Sequence, residues 1–237
     1  MKPIVLSFIE FMFRVIDRIR ARNGYLGYKL NLHSYLWEEA LIESADFVRP
    51  YLDKAMICRN KREVWDIAIR EMNGLGILNG LEFGVYGGLS INYMAKQLPK
   101  VSFVGFDSFE GLKVDWVGHH ALRGAFDRKG EMPKVKGNVK LIKGWFNETV
   151  PIFFAEHDFS SPIFVHIDGD TYEAASAVFE SHGFRLPVGS IILFDEYIGY
   201  PNWKNGEYRA WQEYIRKQEI AYEYIAFSTD QALIKII

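Results

Sequence analysis

From residue 78 onward the sequence alternates short apolar runs with longer stretches of helical character, and this alternation restricts the fold more than any other feature. Short apolar runs bounded by turn residues suit strands buried on both faces, and the stretches between them are long enough to be the crossovers that parallel strands require. Five runs read as such strands: Leu78 to Phe83, Ser102 to Asp107, Val139 to Lys143, Ile163 to Asp168 and Ser190 to Asp195. Two closing runs, YEYIAF from 222 and QALIKII from 231, flank the polar turn Ser228-Thr229-Asp230 and read as an antiparallel pair at one sheet edge. The expectation is a doubly wound α/β domain on a mostly parallel seven-stranded sheet.

Ahead of this domain the pattern is helical. Ile4, Phe8, Phe11, Met12, Val15, Ile16 and Ile19 share one helical face while Arg14, Arg18 and Arg22 line another, as in an amphipathic helix. Packing on the domain, or on a second copy in a homodimer, is its expected role, with a membrane surface as the alternative. A second helix is expected from Ser34 towards Arg49. A third begins at Asn60, which caps it while Glu63 reaches back, and ends at Gly74. Residues 1–59 are thus an N-terminal helical extension and 60–237 the main domain.

Charge and cysteine content narrow the function classes. With 28 Lys and Arg against 30 Asp and Glu, no global field recruits nucleic acid. The apolar stretch 3–13 contains Glu10, is followed by Arg14 and lacks a cleavage site, so stable membrane insertion and a signal peptide are not expected. The single cysteine, Cys58, allows no internal disulfide, and a cytoplasmic location is inferred.

The chemistry concentrates where strands end. In LEFGVYGGLS, residues 81–90, a strand closes on an acidic residue and Gly84, Gly87 and Gly88 let the chain turn sharply beside a ligand. A dinucleotide fingerprint would need glycine at 84, 86 and 89, but Tyr86 and Leu89 stand at the last two, which disfavours a nicotinamide cofactor. Asp107 ends the next strand, placed to accept hydrogen bonds from a ribose diol or to cap a helix. Gly144-Trp145-Phe146 follows the third strand, where a ring can pack on an adenine or in the core. Asp168, Asp170, Asp195 and Glu196 gather at the same edge and would repel one another unless a cation or hydrogen-bond donors compensate them. The irregular stretch Lys113 to Gly137 carries His119 and His120, while His166, inside a strand, reads as a core residue.

Five segments in order, LEFGVYGGLS, GFDSFEGL from 105, GWFNETVP from 144, HIDGDTYEA from 166 and FDEYIGYPNW from 194, resemble the class I methyltransferases related to macrocin O-methyltransferase and other sugar or antibiotic O-methyltransferases. The resemblance runs from about residue 60 to the C-terminus and implies a Rossmann-like fold with S-adenosylmethionine as cofactor. It implies that Glu82, Phe83, Gly84, Val85, Tyr86 and Gly87 cradle the methionine part, with Ser90 also among the cofactor-binding residues. Asp107 and Ser108 would meet the ribose and Gly144, Trp145 and Phe146 the adenine, with Asp168 beside the cofactor. It further implies Mg²⁺ on Asp168, Asp195 and Glu196. Related catechol-type enzymes carry a lysine shortly after the fourth-strand aspartate, where this chain has Gly169, Asp170 and Thr171. Asp195 is the first choice as metal ligand or base, His119 a second base candidate, and Tyr197, Tyr200 and Trp203 an acceptor platform. The expected function is O-methylation of a small molecule with a sugar-like hydroxyl. A nucleotide-sugar oxidoreductase or epimerase and a non-catalytic adenosine-ligand sensor are the alternatives.

Overall fold

The structure, a computed structural model, describes residues 31–237. The amphipathic stretch expected over 1–22 lies outside the described residues. Helix α1, Leu32–Val48, starts where the Asn31 side chain accepts from Ser34 N at 2.9 Å. Strand β1, Met56–Ile57, is followed by α2, Lys61–Leu75, whose Asn60 cap accepts from Glu63 N at 3.1 Å. Glu63 reaches back to the Arg59 N–H, at 2.9 Å, and not to that of Asn60. The helix closes on Gly76 at φ 67°, two residues beyond the expected Gly74, because Gly76 is the residue that takes the left-handed turn.

The remaining elements alternate as the apolar runs require: β2 Asn79–Phe83, α3 Leu89–Gln97, β3 Ser102–Asp107, β4 Val139–Lys143 and α4 Phe146–Glu156. Then come β5 Phe164–Ile167, α5 Tyr172–Phe179, β6 Ile191–Phe194, α6 Glu207–Gln218, β7 Tyr222–Phe227 and β8 Ala232–Ile236. The sheet order is β1-β7-β8-β6-β5-β2-β3-β4, with only β8 antiparallel to its neighbours. The sheet therefore has eight strands, one more than expected. The addition is β1, whose two residues are too short to show any periodicity.

Side chains alternate across the sheet. Val165, Ile167, Ile192 and Phe194 pack on the face covered by α4, α5 and α6, and Phe164, Ile191 and Leu193 pack on the face covered by α2 and α3. Helix α1 joins the first face through Ala40 and Val48, and its Ser44 Oγ accepts from Gly199 N at 2.8 Å. Among the described residues no helix is long and apolar enough to cross a membrane.

Register decides what lies at the top of the sheet. Phe83 pairs with Phe106 and Ile167, and Ile167 with Phe194, so these four form one row. The next residue on each strand is Gly84, Asp107, Asp168 or Asp195, and these four stand level at the carboxyl edge. The chain runs outward from β2 to β3 and β4, then returns to place β5 on the other side of β2. Gly84 and Asp168 flank that reversal, where open α/β sheets form a crevice.

Gly84 sits at φ 102°, and a Cβ there would lie 1.7 Å from the Asp168 carbonyl oxygen. Gly87 has no atom closer than 4.0 Å to such a Cβ. Gly84→Ala should therefore cost about 3 kcal/mol or more of unfolding free energy, while Gly87→Ala should stay within about 0.5 kcal/mol of the parent. Urea denaturation of the two variants measures this, and equal midpoints would contradict it.

Candidate active site

A cavity of about 1170 Å³ opens over the level row of strand ends. Its floor begins with the loop after β2, held by one carboxylate: Asp107 Oδ2 accepts from Val85 N at 2.8 Å and Tyr86 N at 2.7 Å, and Oδ1 accepts from Phe109 N at 2.6 Å. Charge-assisted bonds of this kind hold Tyr86 at φ 45°, a region that side chains rarely adopt. Asp107 thus organises the glycine loop as well as facing the cavity.

The residues expected to contact a cofactor divide into two groups. Gly84, Val85, Tyr86, Gly87, Ser90 and Asp107 line the cavity. Ser108, Gly144, Trp145, Phe146 and Asp168 line it too. Glu82 and Phe83 do not. Phe83 is buried in the core, stacked on Phe106 at 4.8 Å. Glu82 lies beneath the floor, where its two oxygens take Ser90 Oγ and His166 Nδ1, each at 2.9 Å.

His166 is more than the core residue it resembled in the sequence. It stands opposite Glu82 in the β2–β5 register, and its Nε2 lies 3.5 Å from Asp195 Oδ1, an ion-pair distance beyond a good hydrogen bond. Burial alone would lower its pKa, but Asp195 and Glu82 outweigh that and raise it well above the usual value, which favours the protonated ring. Two polar residues facing each other from apolar strands were the available sequence signal.

The expected gathering of Asp168, Asp170, Asp195 and Glu196 occurs, and its compensating cation comes from an unforeseen place. Lys61 Nζ, from the first turn of α2, lies 2.5 Å from Asp195 Oδ2, 3.1 Å from Glu196 Oε1 and 3.3 Å from Asp230 Oδ2. Asp195 Oδ1 accepts from the Gln231 side-chain amide. Burial opposes the charge on Asp195, but His166 and Lys61 prevail and hold its pKa below the ordinary range. Burial, then repulsion from Asp195, raises Glu196 well above its usual value and Asp170 to about 7. Thr171, not Asp170, caps α5, accepting from Ala174 N at 3.2 Å, which leaves Asp170 facing the cavity.

This geometry does not fit Mg²⁺ on the expected trio of Asp168, Asp195 and Glu196. Both oxygens of Asp195 and one of Glu196 are already engaged by protein donors. Among the described residues two groups do bring their ligand atoms within 4.8 Å of one another: Asp168, Asp170 and Glu196, and Asp168 and Asp195 with His166, so the expected trio itself is in neither. For the same reason Asp195 is poorly placed as a base.

The acceptor platform also differs from the expected one. Tyr197 and Trp203 are fully buried in the core, and only Tyr200 reaches the cavity. Its neighbours there are Trp116 and His119 from the irregular stretch and Trp37 from α1. His119 stacks on Trp116 at 3.9 Å and meets Trp37 edge-on at 5.5 Å. Burial, together with His120 and His33, lowers its pKa to about 4. His119 is a neutral aromatic wall at pH 7 and a weak base.

Residues 81–197 match the family model for a methyltransferase domain. This chain is a class I S-adenosylmethionine-dependent methyltransferase. Among solved structures, the calicheamicin methyltransferase CalS11 is similar with a TM-score of 0.58 at 26% identity, covering 73% of this chain and 77% of that one. The O-methyltransferase NovP gives 0.52 at 19% identity over 73% and 78% of the two chains, which shows the shared fold. An apo structure of CalS11, there described as TDP-rhamnose 3'-O-methyltransferase, gives 0.51 at 24% identity over 73% and 76%. No curated protein sequence matches this methyltransferase.

The raised Asp170 pKa carries a stability consequence for the methyltransferase. An aspartate unfolded at about 3.9 and folded at about 7 binds its proton more tightly in the native state. Its contribution is present in full below about pH 4 and is lost as pH rises through 7. Asp170→Asn should flatten the fall in unfolding free energy between pH 4 and 7. Urea midpoints across that range test it, and parallel profiles for the two proteins would contradict it.

Proposed function

We propose that this methyltransferase transfers a methyl group to a hydroxyl of a sugar-like small molecule, with Asp170 as general base. The observation that carries the reading is one continuous cavity lined both by the glycine loop with Asp107 and by the carboxyl-edge cluster with its aromatic wall. Residues 60–237 would form the cofactor-binding unit, and the preceding helical extension would shape the acceptor side, since Trp37 of α1 lines the same cavity.

Bound S-adenosylmethionine supplies an electrophilic methyl on a sulfonium whose charge is lost on transfer. Gly84 to Gly87 would lie along its methionine part, Asp107 and Ser108 at its ribose, and Trp145 and Phe146 at its adenine. The protein's own tasks are then alignment, exclusion of water and removal of one proton. An alcohol is a weak nucleophile, so a base is needed as its oxygen bonds to the methyl carbon. Asp170, pushed up to about 7, is matched to that task, whereas His119 at about 4 is too weak and Asp195 is held ionised by its cations. The proton goes to the Asp170 carboxylate as the carbon–sulfur bond breaks.

The flat faces of Trp37, Trp116, His119 and Tyr200 suit the apolar face of a pyranose, and the similarity to CalS11, which is described as a TDP-rhamnose 3'-O-methyltransferase, supports a sugar acceptor. A methyl-transfer screen against nucleotide-linked sugars, glycosides and phenols, read by mass spectrometry, tests the reading. Asp170→Asn should lower kcat by about 10²- to 10⁴-fold with S-adenosylhomocysteine affinity little changed. Full turnover in that variant would remove Asp170 as the base, and methylation of phenols alone would remove the sugar.

A further inference from the structure

We propose that Lys61 is the resident cation of the carboxyl-edge cluster, so that Asp195 and Glu196 hold an ammonium where the family resemblance would place a divalent ion. An ammonium has three N–H donors, and here three carboxylates, Asp195, Glu196 and Asp230, surround Nζ within 3.3 Å. None is left over for an acceptor. Lys61 is therefore a positioning residue that fixes the cluster and does not touch the reacting atoms.

Its place in the chain supports a dedicated role. Lys61 is the first helical residue of α2, directly after the Asn60 cap. The positive end of the helix dipole disfavours a cation there, and here the carboxylates supply the compensating attraction. One side chain thereby ties the start of α2 to the end of β6 and to the β7–β8 turn. Residue 61 lies outside the segment 81–197 that matches the methyltransferase model, so the metal-like charge is delivered by a part of the chain that the family pattern does not cover.

The ligand chemistry excludes a shared arrangement. Mg²⁺ demands near-octahedral oxygens at about 2.0–2.1 Å. Asp195 is engaged on both oxygens, Oδ2 by Lys61 and Oδ1 by the Gln231 amide, and the cluster within 4.8 Å that includes it joins it to Asp168 and His166, whose ring between two carboxylates favours the protonated form and then has no lone pair for a metal. Glu196 keeps only Oε2, which is buried and has no hydrogen-bond partner, next to Asp168 and Asp170. A divalent ion there would sit beside the ammonium and be repelled by it, so the two cations compete for one cluster.

Mn²⁺ titration followed by electron paramagnetic resonance tests the competition without any need for turnover. The wild type should show no specific Mn²⁺ site up to about tenfold molar excess. Lys61→Met, which keeps the stem and removes the charge, should gain one site, and Lys61→Met with Glu196→Gln should lose it again. A stoichiometric site in the wild type that Glu196→Gln abolishes would overturn the proposal, whether or not the lysine variant folds. A Lys61→Met protein that melts cooperatively yet gains no Mn²⁺ would overturn it too. Lys61 matters for transfer only within the acceptor site proposed above, and S-adenosylhomocysteine affinity, measured on the same samples, reports on that reading separately.

Discussion

Carboxylates packed side by side at the end of a sheet are costly to ionise, and at the ends of β5 and β6 this methyltransferase brings Asp168, Asp170, Asp195 and Glu196 together. The cost is offset by two buried or half-buried cations. His166 stands between Glu82 and Asp195 under the floor, and Lys61 stands among Asp195, Glu196 and Asp230 at the rim. These pairings sort the acids by function. Asp195, held by both cations, stays ionised and fixed, while Asp170, which Lys61 reaches only at longer range, is left with a proton affinity near neutrality. The separation of two acids by their surroundings is what lets one serve as scaffold and the other exchange a proton.

The same floor connects the two halves of the cavity. Glu82 takes Ser90 from the start of α3 on one oxygen and His166 on the other, so the loop that would receive the cofactor and the acid cluster that would meet the acceptor share a buried partner. Asp107 adds the second tie by holding the loop backbone from the neighbouring strand. A change at either side of the cavity is thereby mechanically close to the other.

Much of this was legible in the sequence because strands announce themselves by composition. Five apolar runs ending in glycine or acid gave the central strands and the level of the site, and the polar turn at Ser228 to Asp230 gave the closing hairpin. The two-residue strand β1 carried no periodic signal. Lys61 was invisible for a different reason: 134 residues separate it from Asp195, and nothing local marks a lysine at a helix start as the partner of a distant acid. The aromatic wall was misassigned because Tyr197, Tyr200 and Trp203 are equally good core residues, and only the three-dimensional path shows that Tyr200 alone reaches the cavity, beside Trp116 and Trp37. His166 could have been found by asking why a histidine and a glutamate interrupt neighbouring apolar strands.

Titration calorimetry distinguishes an adenosyl sulfonium from a dinucleotide as the ligand of the cavity above Gly84 and Asp107. S-adenosylhomocysteine should bind one to one and be displaced by S-adenosylmethionine, while NAD should give no heat of binding. Saturable NAD binding by a protein that ignores S-adenosylhomocysteine would contradict the account.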